Sequence, residues 1–136
     1  MDLVNSLHIA SAGMKVQSDR LRIVSENIAN ADSTGRYAGE DPYRRKTISF
    51  KNEMDREMGV PLVKTDKYGE APGEFPKKYD PAHPAADKDG YVSHPNVQPM
   101  VEMVDMREAR RGYEANMNVV EISKSMLMQT IGMLKN

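Results

Sequence analysis

The chain has 136 residues, enough for one small domain, and a formal charge of −1 at neutral pH, a balance that offers no attraction to nucleic acid or an anionic membrane surface. It contains no cysteine, which excludes disulfides and thiolate metal sites. Tryptophan is absent, phenylalanine occurs only at Phe50 and Phe75, and seven of the eleven methionines fall between Met100 and Met133, a usage suited to adaptable contact surfaces rather than to a rigid, self-contained core.

The spacing predicts a first long helix from Asp2 to about Ala31. Leu3, Leu7, Ala10, Met14, Leu21, Val24 and Ile28 alternate by four and three, with Gln17 as the one polar member, which is the spacing of a coiled-coil seam. Ile9, Val16 and Ile23 form a second stripe. Asp2, Asp19 and Glu26 balance Lys15, Arg20 and Arg22. The run Ala31-Asp32-Ser33-Thr34-Gly35 stops the helix. Asn27 and Asn30, one turn apart near its end, either cap the last carbonyls or reach a neighbouring backbone.

The middle of the chain is of another kind. All eight prolines and four of the nine glycines lie between Pro42 and Pro99. Lys46 to Lys51 reads as a strand. Val60 to Lys64 and Glu74 to Tyr79 are weaker strands, since an internal proline restricts a strand to a sheet edge. Asn52 to Met58 fits a short helical turn, and Asp80 to Val97 reads as loop, punctuated by Asp80-Pro81, His83-Pro84, Asp89-Gly90 and His94-Pro95.

A second, longer helix is expected from Pro99 to Leu134, about 50 Å at ~1.5 Å per residue. Met103, Met106, Tyr113, Met117, Val120, Leu127, Ile131 and Leu134 mark its seam, broken only by Arg110 and Lys124, which read as snorkelling side chains or as a cross-subunit ion pair. Val101, Val104, Ala115, Val119, Ile122, Met126 and Met133 form a second stripe. The expected fold is therefore mainly α: long terminal helices paired as a coiled coil, with a small irregular β-hairpin and loop region between them. Its parts are an N-terminal helix over 1–31, a proline-rich insertion over 32–98 and a C-terminal helix over 99–136. Pairing covers one stripe on each helix. Each further aliphatic side chain buried is worth about 1.5–3 kcal/mol, so the second stripes are expected to face other subunits. A helix at the centre of an ordinary globular core is the plainer reading of the same pattern.

Catalytic and metal chemistry finds no foothold. His8, His83 and His94 lack the spacing of a zinc pair, and Asp87-Lys88-Asp89-Gly90 is a turn rather than a calcium loop, with Ala85 at the first ligand position. Arg44-Arg45-Lys46 is too short a basic cluster for nucleic acid. No phosphate loop or nucleophile elbow is present. The expectation is a non-enzyme with no cofactor and no metal, bound to neither nucleic acid nor membrane. No secretory signal or membrane-spanning stretch is legible at the start of the chain.

Two stretches carry a family likeness. Ser25-Glu26-Asn27-Ile28-Ala29-Asn30-Ala31-Asp32-Ser33 resembles the amino-terminal signature of bacterial flagellar rod and hook proteins. Gly90-Tyr91-Val92, Pro95-Asn96-Val97, Glu102-Met103-Val104-Asp105-Met106 and Arg111-Gly112-Tyr113-Glu114-Ala115-Asn116 resemble the carboxy-terminal pattern of the basal-body rod proteins, the proximal rod members most of all. Pro42-Tyr43-Arg44-Arg45-Lys46 and Asp80-Pro81-Ala82-His83-Pro84 fit the same members. The motif residues are thus Asn27, Asn30, Gly35, Tyr113, Glu114 and Asn116. The sequence departs from the shared signature at Ser33, where threonine is usual, and at Arg36, where an aromatic is usual, with Tyr37 one residue later. The resemblance implies a structural subunit of the rod, assembled helically through its terminal helices. Its implied partners are copies of itself, other rod proteins, basal-body ring proteins and the flagellar type III export apparatus, which carries it out without a cleaved signal. From the residues alone, a cytosolic helical adaptor or secretion chaperone, gripping other chains through its methionine-rich helix, is the alternative.

Overall fold

The computed structural model describes residues 3–135. Met1, Asp2 and Asn136 fall outside it, and with them the expected helix start at Asp2. The order of elements is α1 (Leu3–Ala29), β1 (Lys46–Met54), β2 (Pro61–Glu70), β3 (Lys77–Tyr79), β4 (Tyr91–Ser93) and α2 (Pro99–Leu134). β1 pairs with β2 and β3 with β4, giving two separate two-stranded sheets. Two compact units divide these elements: one holds Met1–Leu21, Ser49–Lys67 and Arg107–Asn136, the other Arg22–Ile48 and Tyr68–Met106.

In the first unit α1 and α2 run antiparallel, since Gly13 lies against Asn116, Gln17 against Gly112, and Arg20 reaches Glu108 at 3.3 Å. The approach is close. A Cβ on Gly13 would sit 2.8–2.9 Å from the Asn116 amide, and one on Gly112 would sit 3.1–3.3 Å from that of Gln17. Each helix thus lays an amide over the other's glycine, and the Asn116 amide also donates to the Gly112 carbonyl at 2.8 Å. The β1–β2 connection closes through Asp55 N–H to Val60 O at 2.9 Å, with Gly59 at φ +65°, a left-handed turn position that favours glycine. Leu62 is buried, and Thr65 donates to Asp19 at 2.9 Å, tying this unit's part of β2 to α1.

In the second unit the end of α1, the start of α2 and the strand segments pack around Ile23, Val24, Val92 and Val97. β3 and β4 pair antiparallel with Lys77 opposite Ser93 and Tyr79 opposite Tyr91, whose rings meet edge-on at 5.4 Å. After α1 the chain folds back tightly: Tyr43 N–H reaches Ser33 O at 2.9 Å. Gly35 is buried with its α-carbon against the Glu40 carbonyl, leaving no room for a side chain.

Several local expectations need correction. The helical turn expected over Asn52–Met58 does not form: Asn52 to Met54 complete β1, and Asp55 to Val60 make the hairpin turn, with Asp55 Oδ1 accepting from the Glu57 and Met58 N–H groups. β2 runs to Glu70 rather than stopping near Lys64, and Pro61 heads the strand, where its missing N–H is tolerated. The stretch Asp80–Val97 is not all loop, because Tyr91–Ser93 pairs with β3. The far half of β2 was hidden because its residues are exposed and carry no apolar alternation, and β4 because three residues are too few to show a period.

Candidate assembly surface

Within the first unit, the most deeply buried α2 residues are small or polar. Ala109 is wholly buried and Ser123 nearly so, while Gly112, Tyr113, Asn116, Val120 and Leu127 are half-buried. Ala109, Asn116 and Ser123 recur every seven residues, as helices in close antiparallel contact require of at least one partner. This line is the one the sequence reading missed. Its signal was present as a heptad of small residues, overshadowed by the larger apolar side chains beside it.

Many of the larger side chains on this half of α2 point outward. Met117, Val119, Ile122, Met126, Met128, Ile131, Met133 and Leu134 are all exposed, Ile122 by 61% and Leu134 by 83%. Val119, Ile122, Met126 and Met133 follow three, four and seven residues apart, and so line one side of the helix. Part of the exposure comes from length. With Gly13 beside Asn116, the antiparallel register brings Leu3 opposite Met126. Leu127–Leu134 therefore extends about 12 Å past the last described residue of α1, at ~1.5 Å per residue.

The second unit holds a buried polar node. Asn27 is 1% exposed and uses its whole amide. Nδ2 donates to Lys46 O at 2.9 Å and to Glu102 Oε2 at 3.1 Å, while Oδ1 accepts from Lys46 N at 2.9 Å and from the Tyr43 hydroxyl at 2.9 Å. The side chain thus stands in for a neighbouring strand at the start of β1. Glu102, wholly buried in the first turn of α2, also accepts from Arg45 Nε, and Arg45 reaches Asp105 at 3.8 Å. A carboxylate there complements the positive end of the helix dipole. Burial pushes the Tyr43 hydroxyl above its ordinary range, with the Lys46 charge opposing. Nearer the surface, the Lys46 ammonium holds the Glu26 carboxyl below its usual range, assisted by Arg22. Asn30 caps the Glu26 carbonyl at 2.9 Å. The two motif asparagines therefore take the two alternatives separately: Asn30 caps its own helix and Asn27 grips another segment's backbone.

Other expected positions distribute as follows. On α1, Val24 is buried and Leu3, Leu7, Met14, Leu21 and Ile28 are half-buried. On α2, Met106 is half-buried while Met103, like Glu114, is exposed. Arg110 lies 3.4 Å from Glu114 on its own helix, and Tyr37 is 63% exposed. One hydroxyl–imidazole contact does form, with Thr34 Oγ1 3.2 Å from His83 Nε2. His83 Nδ1 accepts the Ala85 N–H at 3.0 Å, so the neutral ring carries its proton on Nε2 and donates to Thr34. It cannot act as a base toward that hydroxyl. Among the described residues no cluster of three or more histidine and carboxylate groups could hold a metal, and no helix is long and apolar enough to cross a membrane.

Comparison with known proteins matches the two ends and then the whole chain. A family model of flagella basal body rod proteins matches residues 7–37, and one for the C-terminal region of flagellar basal body rod FlgEFG proteins matches residues 88–133. The flagellar basal-body rod protein FlgC of Agrobacterium fabrum is 54% identical over 127 residues, covering 93% of this chain and 91% of that one. FlgC of Borreliella burgdorferi is 37% identical with 99% of each chain covered, and FlgC of Salmonella typhimurium is 37% identical with 96% and 97% covered.

Proposed function

The chain belongs to the flagellar basal-body rod protein family, and from that premise we propose that it is a structural subunit of the rod which joins its neighbours through the outward faces of its terminal helices and passes torque along the shaft. The single observation that supports this mode of assembly is the apolar face of α2, open to solvent from Met117 to Leu134. Each aliphatic side chain covered there by a neighbour is worth about 1.5–3 kcal/mol. The coiled-coil seam belongs to the same proposal: Leu3, Leu7, Met14, Leu21, Val24 and Ile28 meet Met106, Tyr113, Val120 and Leu127, while Met103, Met117, Ile131 and Leu134 are completed by adjacent subunits. The division into a helical core over 1–31 and 99–136 and an insertion over 32–98 follows from it. Copies of the chain and other rod proteins are its contacts in the shaft. Ring proteins and the type III export apparatus, with export free of a cleaved signal, are carried over from the family.

Ile122→Asp tests this directly. The residue is 61% exposed, so the free chain should keep its stability within about 0.5 kcal/mol. In cells lacking the native copy, the variant is expected to be absent from isolated basal bodies and to leave the cells non-motile. Normal incorporation and swimming would refute assembly through this face. The adaptor or chaperone alternative has no support from the relatives, which are named rod proteins over nearly their full lengths.

A further inference from the structure

With neither cysteine nor tryptophan in the chain, the methionine thioethers are its most readily oxidised groups. Their exposure is uneven. Met14, Met58 and Met106 are half-buried, whereas Met54, Met100, Met103, Met117, Met126, Met128 and Met133 are exposed; of these only Met117, Met126, Met128 and Met133 lie on the second half of α2, the last three 49%, 64% and 73% exposed. Met126 and Met133 lie one heptad apart beside Val119 and Ile122, and Met128 and Met133 fall on the part of α2 that extends past the last described residue of α1. Met126 and Met133 therefore lie on the Val119–Ile122 side that the rod is expected to cover, and Met128 projects about 140–160° around the helix from them on the same exposed stretch.

We propose that Met126, Met128 and Met133 are sites of peroxide oxidation that decide whether a free chain can enter the rod. The idea rests on the assembly reading above. The reaction transfers one oxygen of hydrogen peroxide to sulfur: the O–O bond breaks, an S–O bond forms, and the second oxygen leaves as hydroxide and takes a proton to give water. Sulfur is oxidised by two electrons and the peroxide is reduced. A sulfoxide is a strong hydrogen-bond acceptor, and burying it against Ile122-like neighbours without a donor is unfavourable. In the assembled rod the same side chains are covered and the oxidant is excluded, so the chain is vulnerable only before incorporation.

The test has two readouts. The purified full chain and isolated basal bodies are each given hydrogen peroxide, and sulfoxide, an addition of about 16 Da per site, is followed at every methionine by mass spectrometry. Met126, Met128 and Met133 should oxidise ahead of Met14 and Met106 in the free chain and be protected in the basal body. In cells lacking the native copy, the triple variant M126Q/M128Q/M133Q, which imitates sulfoxide polarity, should be lost from basal bodies, while M126L/M128L/M133L should be incorporated in larger amount than the glutamine form. Equal incorporation of the two variants, or equal oxidation rates in the free and assembled chain, would overturn the inference. If Ile122→Asp is excluded while the glutamine variant enters, only the oxidation step fails. If Ile122→Asp also enters, the assembly surface itself is wrong.

Discussion

Replacing Asn27 by alanine removes all four hydrogen bonds of the buried node at once. Three involve neutral partners, the Lys46 N–H and C=O and the Tyr43 hydroxyl, and one goes to the Glu102 carboxylate. Net values of roughly 0.5–1.5 kcal/mol for each neutral bond and about 1.5–3 for the charged one give a loss of about 3–5 kcal/mol, once partial relaxation around the site is allowed for. That is a large part of a small protein's usual stability of about 5–15 kcal/mol. Urea unfolding followed by circular dichroism should show it as a fall in midpoint of about 2 M, for a slope near 2 kcal/mol per M. Asn27→Asp sharpens the test. It places an oxygen where Nδ2 now faces Glu102 Oε2 at 3.1 Å and Lys46 O at 2.9 Å, so it should be at least as damaging at neutral pH and should recover partly in mild acid, when one carboxyl is protonated. A loss below about 1 kcal/mol for Asn27→Ala would mean that the node is rescued by water and does not hold the segments together.

Other outcomes follow from the same geometry. Gly35→Ala should destabilise the chain by about 2 kcal/mol or more, because its Cβ would collide with the Glu40 backbone carbonyl, which cannot swing aside; thermal unfolding measures it. Gly13→Ala should be milder, since the obstacle is the Asn116 side chain and the helix-propensity gain of about 1 kcal/mol offsets the lost Asn116–Gly112 bond. Ala109→Leu should cost about 1–3 kcal/mol by overpacking a wholly buried position in the first unit, and a neutral result in urea unfolding would show that α2 is free to shift there. The carboxyls of Glu26, Glu53 and Asp87 are lowered, by Lys46, by Lys64 with Lys51, and by the Tyr91 and Asp89 N–H groups respectively. Groups whose folded values are depressed add stability above their unfolded range and lose it as pH falls through the folded values. Stability should therefore decline on acidification, and NMR titration of the three carboxyl carbons should show midpoints below those of the urea-unfolded chain.

Much of this protein is written locally. Proline at 99 and the absence of any later proline fix where α2 starts and how far it runs, Pro99–Leu134 as expected, and the turn residues after Ala31 end α1 nearby. The two terminal motifs and the likeness to rod proteins are equally matters of sequence. What periodicity left open was which stripe faces inward. Gly13 and Gly112 draw the helices so close that the deepest positions fall to Ala109 and Ser123, with Tyr113, Asn116, Val120 and Leu127 half-buried beside them. The node was hidden for a related reason. Asn27, Lys46 and Glu102 are separated by 19 and 75 residues from the asparagine outward, and a pattern with a period of three or four residues carries no information about pairs so far apart. Hydrophobic spacing determines which segments become helices and how much apolar surface they bear. Only the packed structure, where backbone separation limits side-chain size and buried amides must find their partners, determines which of that surface is used internally and which is left for a neighbour.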